Sequence, residues 1–326
     1  MTMRATFYSQ EAANRRDSLV LVVVVAVILA ALGFAIGYGT SGVVGTGIAV
    51  MGGALVLATF LSVGSYFGGD QLVLGTSGAK EVDASSAPQL MNVVQEMAVA
   101  AGVPMPKVYV IDDTAPNAFA TGRDPKHASV AITTGLLQKL DREELQGVLG
   151  HELSHVRNFD IRFALLVAVL VGSIALLADF FLRFTFWGGR GGSRDDRGGS
   201  NGLQVVIFVV AIIFAILAPI FARLVQLAVS RQREYLADAS SVELTRNPSG
   251  LERALAKIAS DREVLEVANR ATAHLYFTNP IKKFEERSSS IFSTHPPIVD
   301  RINRLRQLTG EAPMDAQEFA ALRGLD

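Results

Sequence analysis

Two uncharged apolar runs near the N-terminus, Leu19–Tyr38 and Val43–Phe67, constrain this chain most, because they extend over 20 and 25 residues. A helix of ~20 apolar residues crosses the hydrocarbon core of a bilayer. Inside that core each peptide group must bond within its own segment, so separate runs of this length are read as helices. The connection Gly39–Gly42 has room only for a tight hairpin. A cleaved signal peptide is the competing reading of the first run, but no polar segment separates it from the second. A third run, Phe163–Ala178, ends at Asp179 and reads as a span or as a partly buried helix. A fourth, Leu203–Ala222, is again 20 residues without a charge. About four membrane helices are therefore expected. Gly33 and Gly37 lie four apart in the first run and read as close intramembrane packing.

Composition agrees, with 50% hydrophobic residues and a mean hydropathy of +0.33. A net charge of −1 gives no reason to expect nucleic acid as a partner. The absence of cysteine removes any disulfide framework and any thiolate zinc site. Arg4, Arg15 and Arg16 precede the first run. Lys80, Lys107, Arg123, Lys126, Lys139, Arg142 and Arg157 follow the second, and the hairpin between has no Lys or Arg. The positive-inside rule then predicts the N-terminus and residues 68–160 on the cytoplasmic side, with 226–326 returning there after two more spans. Arg190, Arg194 and Arg197 weaken that signal; they lie in a Gly/Ser/Arg/Asp stretch, 188–202, that reads as a solvated linker.

The organisation expected is therefore an N-terminal segment with two membrane helices (1–67), the first part of a polar domain (68–160), two apolar helices around the 188–202 loop (161–225) and the second part of the polar domain (226–326). Within the polar parts, Pro88–Ala101 reads as a helix, with Pro in its first turn and Gly102 after it. Lys107–Ile111 and Ser129–Thr133 read as strands, and Asn117–Ala120 as a third. Asn247-Pro248 starts a helix with Leu251, Leu255 and Ile258 on one face. The fold class expected is α+β and mostly helical, with a small sheet among helices.

The chemistry is concentrated at His151-Glu152-Leu153-Ser154-His155. On a helix, residues four apart share a face, so both imidazoles can reach one metal ion, with Glu152 beside it as a general base. The chain has only five histidines; from its His and Glu content, chance would produce such a motif roughly three times in a thousand such sequences. Asp141 as N-cap and Glu144 three residues on form a capping box, which predicts a helix from Arg142 to about Asp160. A catalytic zinc normally takes three protein ligands. Glu234 and Asp238, four apart after the fourth apolar run, are the best source: Glu234 as ligand, Asp238 accepting a hydrogen bond from a ligand imidazole. A salt-bridged helix face of Arg231, Arg233, Glu234 and Asp238 is the alternative. His127 and His274 read as ordinary structural or surface histidines.

His151-Glu152-Leu153-Ser154-His155, Arg233-Glu234-Tyr235-Leu236-Ala237-Asp238, Ser293-Thr294-His295-Pro296-Pro297 and Asn117-Ala118-Phe119 together resemble the HtpX family of bacterial membrane zinc metallopeptidases, kin to the CAAX prenyl proteases. The stretch Gly69–Lys80 is also similar, and only the 188–202 linker departs. The resemblance implies a zincin-like (gluzincin) domain on membrane helices, one zinc per chain on His151, His155 and Glu234, Glu152 as base and Asp238 behind a ligand. It implies that Asn117, with Phe119, lies on a strand that pairs with substrate backbone, and that His295 lies near the metal and contacts substrate or oxyanion. It also implies an endopeptidase of the cell (inner) membrane that cuts misfolded or misassembled membrane proteins on their cytoplasmic parts, in quality control and stress response. The partners expected are protein substrates and the bilayer, with homo-oligomerisation left open. Three rivals stand beside it: an intramembrane protease, a prenyl-peptide protease and a non-catalytic zinc-binding membrane scaffold. Asp141, Arg142, Glu143, Glu144, Arg157 and Asp160 around the motif are costly in hydrocarbon and favour a site at the membrane surface.

Overall fold

The structure is a computed structural model that describes residues 7–167, 231–261, 263, 265, 275–277 and 296–322. It divides into two compact units: residues 1–15, 68–165 and 226–326 in one, and residues 16–67 and 166–225 in the other.

The second unit holds most of α1 (Phe7–Ser41) and of α2 (Val44–Thr76). Gly42 turns the chain between them at φ 69°, a left-handed value that suits glycine. A Cβ on Gly33 would lie 2.8 Å from the Ala54 Cβ, and one on Gly37 2.7 Å from the Thr46 carbonyl, so both glycines let the two helices touch. α2 is long and apolar enough to cross a membrane. Its Val56 and Phe60 are 72% and 74% exposed, as side chains facing lipid would be. α2 continues to Thr76, beyond the apolar run that predicted it, because 68–76 carries a single charge and no proline. The third apolar run beyond Val167, the 188–202 linker and the fourth run lie outside the described residues.

The first unit is α+β and mostly helical, as the sequence predicts. Its sheet has the order β1-β2-β4-β3, formed by Lys80–Val82, Lys107–Ile111, Ala128–Thr133 (β4) and Ala118–Gly122 (β3). β2 and β4 are parallel; β1 and β3 are antiparallel to their neighbours, and β3 lies at the edge. Around the sheet lie α3 (Pro88–Ala101), α4 (Thr134–Lys139), α5 (Arg142–Arg157), α6 (Arg231–Thr245), α7 (Pro248–Ser260), α8 (Ile298–Thr309) and α9 (Ala316–Leu322). α3 ends at Gly102 in the left-handed conformation, and the Asn247 side chain caps α7 by accepting the Gly250 N–H. One apolar core joins Val93 and Val94 of α3, Val130 and Ile132 of β4, Val148, Leu149 and Leu153 of α5, and Leu251, Leu255 and Ile258 of α7. Full burial of each such aliphatic side chain contributes ~1.5–3 kcal/mol.

α5 is the centre of this unit and packs on α3, α6, α7 and β3. Its capping box is present: Asp141 accepts the Glu144 N–H at 2.9 Å, and the Glu144 carboxylate accepts the Asp141 N–H at 2.8 Å. Buried Glu144 also meets Lys257 of α7 at 2.7 Å. Gly147 lets α7 approach, since a Cβ there would lie 2.9 Å from the Leu251 backbone. Its carbonyl accepts a hydrogen bond from Ser241 Oγ of α6 at 2.6 Å. These contacts fix α6 against α5 and so decide where the side chains of α6 point. α5 ends at Arg157, short of the predicted Asp160, because Phe159 takes a positive φ of 60°.

Candidate metal centre

One turn apart on the buried face of α5, His151 and His155 bring their Nε2 atoms to 3.1 Å of each other. Glu234, in the first turn of α6, sends one carboxylate oxygen to 3.6 Å from His151 Nε2 and the other to 3.5 Å from His155 Nε2. The ligand-type atoms of these three residues all lie within 4.8 Å of one another. Tetrahedral zinc with bonds of ~2.0–2.1 Å separates its ligand atoms by ~3.3 Å. The separations observed match that figure, and two imidazoles with one carboxylate are a donor set zinc accepts.

Behind His151, its Nδ1 meets Asp238 Oδ1 at 2.8 Å. Asp238 in turn receives Arg301 of α8 through two bonds, Nε to Oδ2 at 2.9 Å and Nη2 to Oδ1 at 2.7 Å. Arg301 is 1% exposed, donates Nη1 to the Phe277 carbonyl at 3.1 Å and lies 4.6 Å above the Phe277 ring. The Phe277 ring packs edge-on against His151. Behind His155, Nδ1 meets Asp160 Oδ2 at 2.9 Å.

The environment separates these groups. Burial drives the His151 imidazole down to about 4. Burial pushes the Glu152 carboxyl up to about 7, with the Glu234 charge adding to it and the Ala120 N–H hydrogen bond opposing it. Burial works against protonation of His155, yet the hydrogen bond to Asp160 and the charge of Glu234 hold it up at about 9. Asp238 stays below the usual carboxylate range despite burial, because the Arg301 guanidinium faces it.

Asn117 immediately precedes edge strand β3. Its N–H donates to Thr133 Oγ1 at 2.9 Å, and its Oδ1 accepts the Ala118 N–H at 3.0 Å. Phe119 is buried and meets Tyr276 edge-on at 5.0 Å. The Ala118 carbonyl accepts the Phe277 N–H at 2.7 Å. The structure thus brings together His151, Glu152, His155, Glu234 and Asp238, with the β3 backbone against Glu152 at Ala120. His295 and His274 lie outside the described residues. His127 is near neither group and pairs with Asp124 in the β3–β4 connection.

Sequence reasoning missed Asp160 and Arg301. Arg301 did leave a signal: it sits in the apolar stripe Ile298, Ile302, Leu305 of α8, where a cation must find a buried anion. Asp160 left none.

A histidine pair with a buried carboxylic acid between them, a metal-capable carboxylate from a second helix and a sheet edge alongside are the parts of a metalloprotease, a hydrolase. The chain belongs to Peptidase family M48, whose sequence model matches residues 84–309. It is 44% identical to a protease HtpX homolog of Streptococcus uberis, over 92% of this chain and 99% of that one. It is also 44% identical to a protease HtpX homolog of Caldanaerobacter subterraneus subsp. tengcongensis, over 95% of this chain and 100% of that one. The crystal structure of S. mikatae Ste24p is similar at 18% identity and a TM-score of 0.46, over 77% of this chain and 57% of that one. The HtpX resemblance carried by the motifs is thereby borne out, and with α2 the chain is a membrane metalloprotease.

Proposed function

We propose that this protein is a membrane-bound zinc endopeptidase with one zinc per chain, held by His151, His155 and Glu234. The observation that carries the reading is the convergence of those three donors beside a buried carboxylic acid, Glu152. Zinc, when bound, supplies a Lewis acid that acidifies water toward neutral pH and polarises a carbonyl. Glu152 takes the proton of the attacking water and delivers it to the leaving amine. Its elevated pKa, about 7, suits a group that must accept and return a proton near neutrality. Asp238 fixes the His151 tautomer by accepting the Nδ1 proton, which leaves Nε2 for the metal.

Substrate lies extended along edge strand β3 beside Asn117 and Phe119, displacing the Phe277 N–H from the Ala118 carbonyl to pair there as an added strand. Phe119 supports that strand from within, since its ring is committed to Tyr276 and its backbone pairs with Ala131 of β4. His295 supplies a donor to the oxyanion; loss of one such donor costs ~100- to 1,000-fold in rate. The polar unit faces the cytoplasm on about four membrane helices and cuts misfolded or misassembled membrane proteins there. The charged surroundings of α5 support a site at the membrane surface, outside the hydrocarbon. Glu152→Gln should retain zinc and lose casein cleavage in detergent. Zinc loss from that variant, or undiminished cleavage, would contradict the role assigned to Glu152.

A further inference from the structure

The two ligand histidines are braced from behind by different parts of the chain. Asp238, which braces His151, lies one turn after Glu234 on the same helix. The partner of His155 reaches it by another route. On an unbroken helix Asp160, five residues beyond His155, would point about 140° away from it around the axis. The structure breaks α5 instead. Asn158 caps the helix, its N–H still bonding to the Ser154 carbonyl at 3.0 Å. Phe159 then turns the chain at φ 60°, a conformation uncommon for an aromatic residue. The next residue, Asp160, is returned beneath His155 with Oδ2 2.9 Å from Nδ1.

This turn is tied on two sides. Arg162 lies 4.9 Å from the Phe159 ring centre and donates Nε to the Arg123 carbonyl, just past β3, at 2.6 Å. Arg233, adjacent to Glu234 on α6, holds Nε 3.8 Å from Asp160 Oδ1 and stacks over Phe163 at 5.2 Å. Asp160 is 7% exposed, so its bond to His155 has little competition from water.

We propose that Asp160 is a positioning residue for the metal site: it accepts the Nδ1 proton of His155, fixes that tautomer and aims Nε2 at the ion, with the left-handed turn at Phe159 as the device that delivers it. The proposal rests on the reading of His151, His155 and Glu234 as metal ligands. Loss of such a supporting partner typically costs 10- to 100-fold in metal affinity. The test is cobalt(II) titration of the full chain in detergent, for the wild type, Asp160→Ala and Asp160→Asn. Affinity is read by chelator competition and ligand geometry by the visible cobalt spectrum. Asp160→Ala should bind cobalt 10- to 100-fold more weakly with an altered spectrum, and Asp160→Asn, which keeps an acceptor oxygen, should fall between. Wild-type affinity and spectrum in Asp160→Ala would overturn the proposal alone. A wild type that takes up no cobalt would overturn it together with the ligand reading. If Asp160→Ala does not fold, histidine-15N spectra of the zinc-loaded wild type decide. Protonated Nδ1 on His155 supports the proposal, and protonated Nε2 overturns it.

Discussion

Replacing Arg301 with Met would remove the only cation that bonds directly to Asp238 among the described residues. Asp238 is 4% exposed and receives two charged hydrogen bonds from Arg301, at 2.9 and 2.7 Å. Met fills similar space, so the dominant effect is an uncompensated buried carboxylate, which typically costs ~3–5 kcal/mol. The Phe277 carbonyl also loses its 3.1 Å donor, within the same range because the losses overlap. Against a typical domain stability of ~5–15 kcal/mol, this is a large fraction. Asp238→Asn removes the charge but keeps an acceptor for His151, so it should partly rescue Arg301→Met. The assay is denaturant unfolding of the metal-free chain in mild detergent, followed by circular dichroism, for both single variants and the double. The double should be more stable than Arg301→Met by ~1 kcal/mol or more. Arg301→Met within ~0.5 kcal/mol of wild type, or a double no better than the single, would refute the claim that Arg301 serves to neutralise Asp238.

Two further outcomes follow from the packing and the charges. Gly147→Val should destabilise the polar unit by ~1–3 kcal/mol, because even a Cβ would lie 2.9 Å from the Leu251 backbone; a thermal unfolding midpoint equal to wild type would show that the α5–α7 approach is not tight. Because His155 in the folded chain titrates at about 9 against an ordinary 6.5, its proton stabilises the metal-free fold below 6.5, and that contribution fades as pH rises through 9. An incoming metal must expel the same proton, so zinc affinity should rise with pH up to about 9, by at most tenfold per unit from this group, and level off above; a flat zinc titration between pH 7 and pH 9 would contradict this.

Much of this architecture is legible in the sequence because it rests on local rules. The α5 start is written in Asp141 and Glu144, and the α7 start in Asn247-Pro248. The end of α3 follows from Gly102, which takes the left-handed cap that a glycine makes cheap. The pairs His151/His155 and Glu234/Asp238 share one principle, side chains four apart on a helix face. What was hidden depends on tertiary packing. β1 is three residues, Lys-Glu-Val, too short and too charged to show strand alternation. The break at Phe159 contains neither Gly nor Pro, so a helix to about Asp160 was the natural reading, and with it the role of Asp160 stayed hidden. Arg301 lies 63 residues from Asp238 and 150 from His151, and only the folded chain shows that it reaches both.

The most direct test of the central claim is zinc content measured together with casein cleavage, on detergent-purified wild type and Glu234→Ala. The account predicts zinc near one per chain and chelator-sensitive cleavage in the wild type, with both lost in the variant. A Glu234→Ala protein that keeps zinc and cleaves casein would contradict it and leave the α6 carboxylates as structural ion-pair partners.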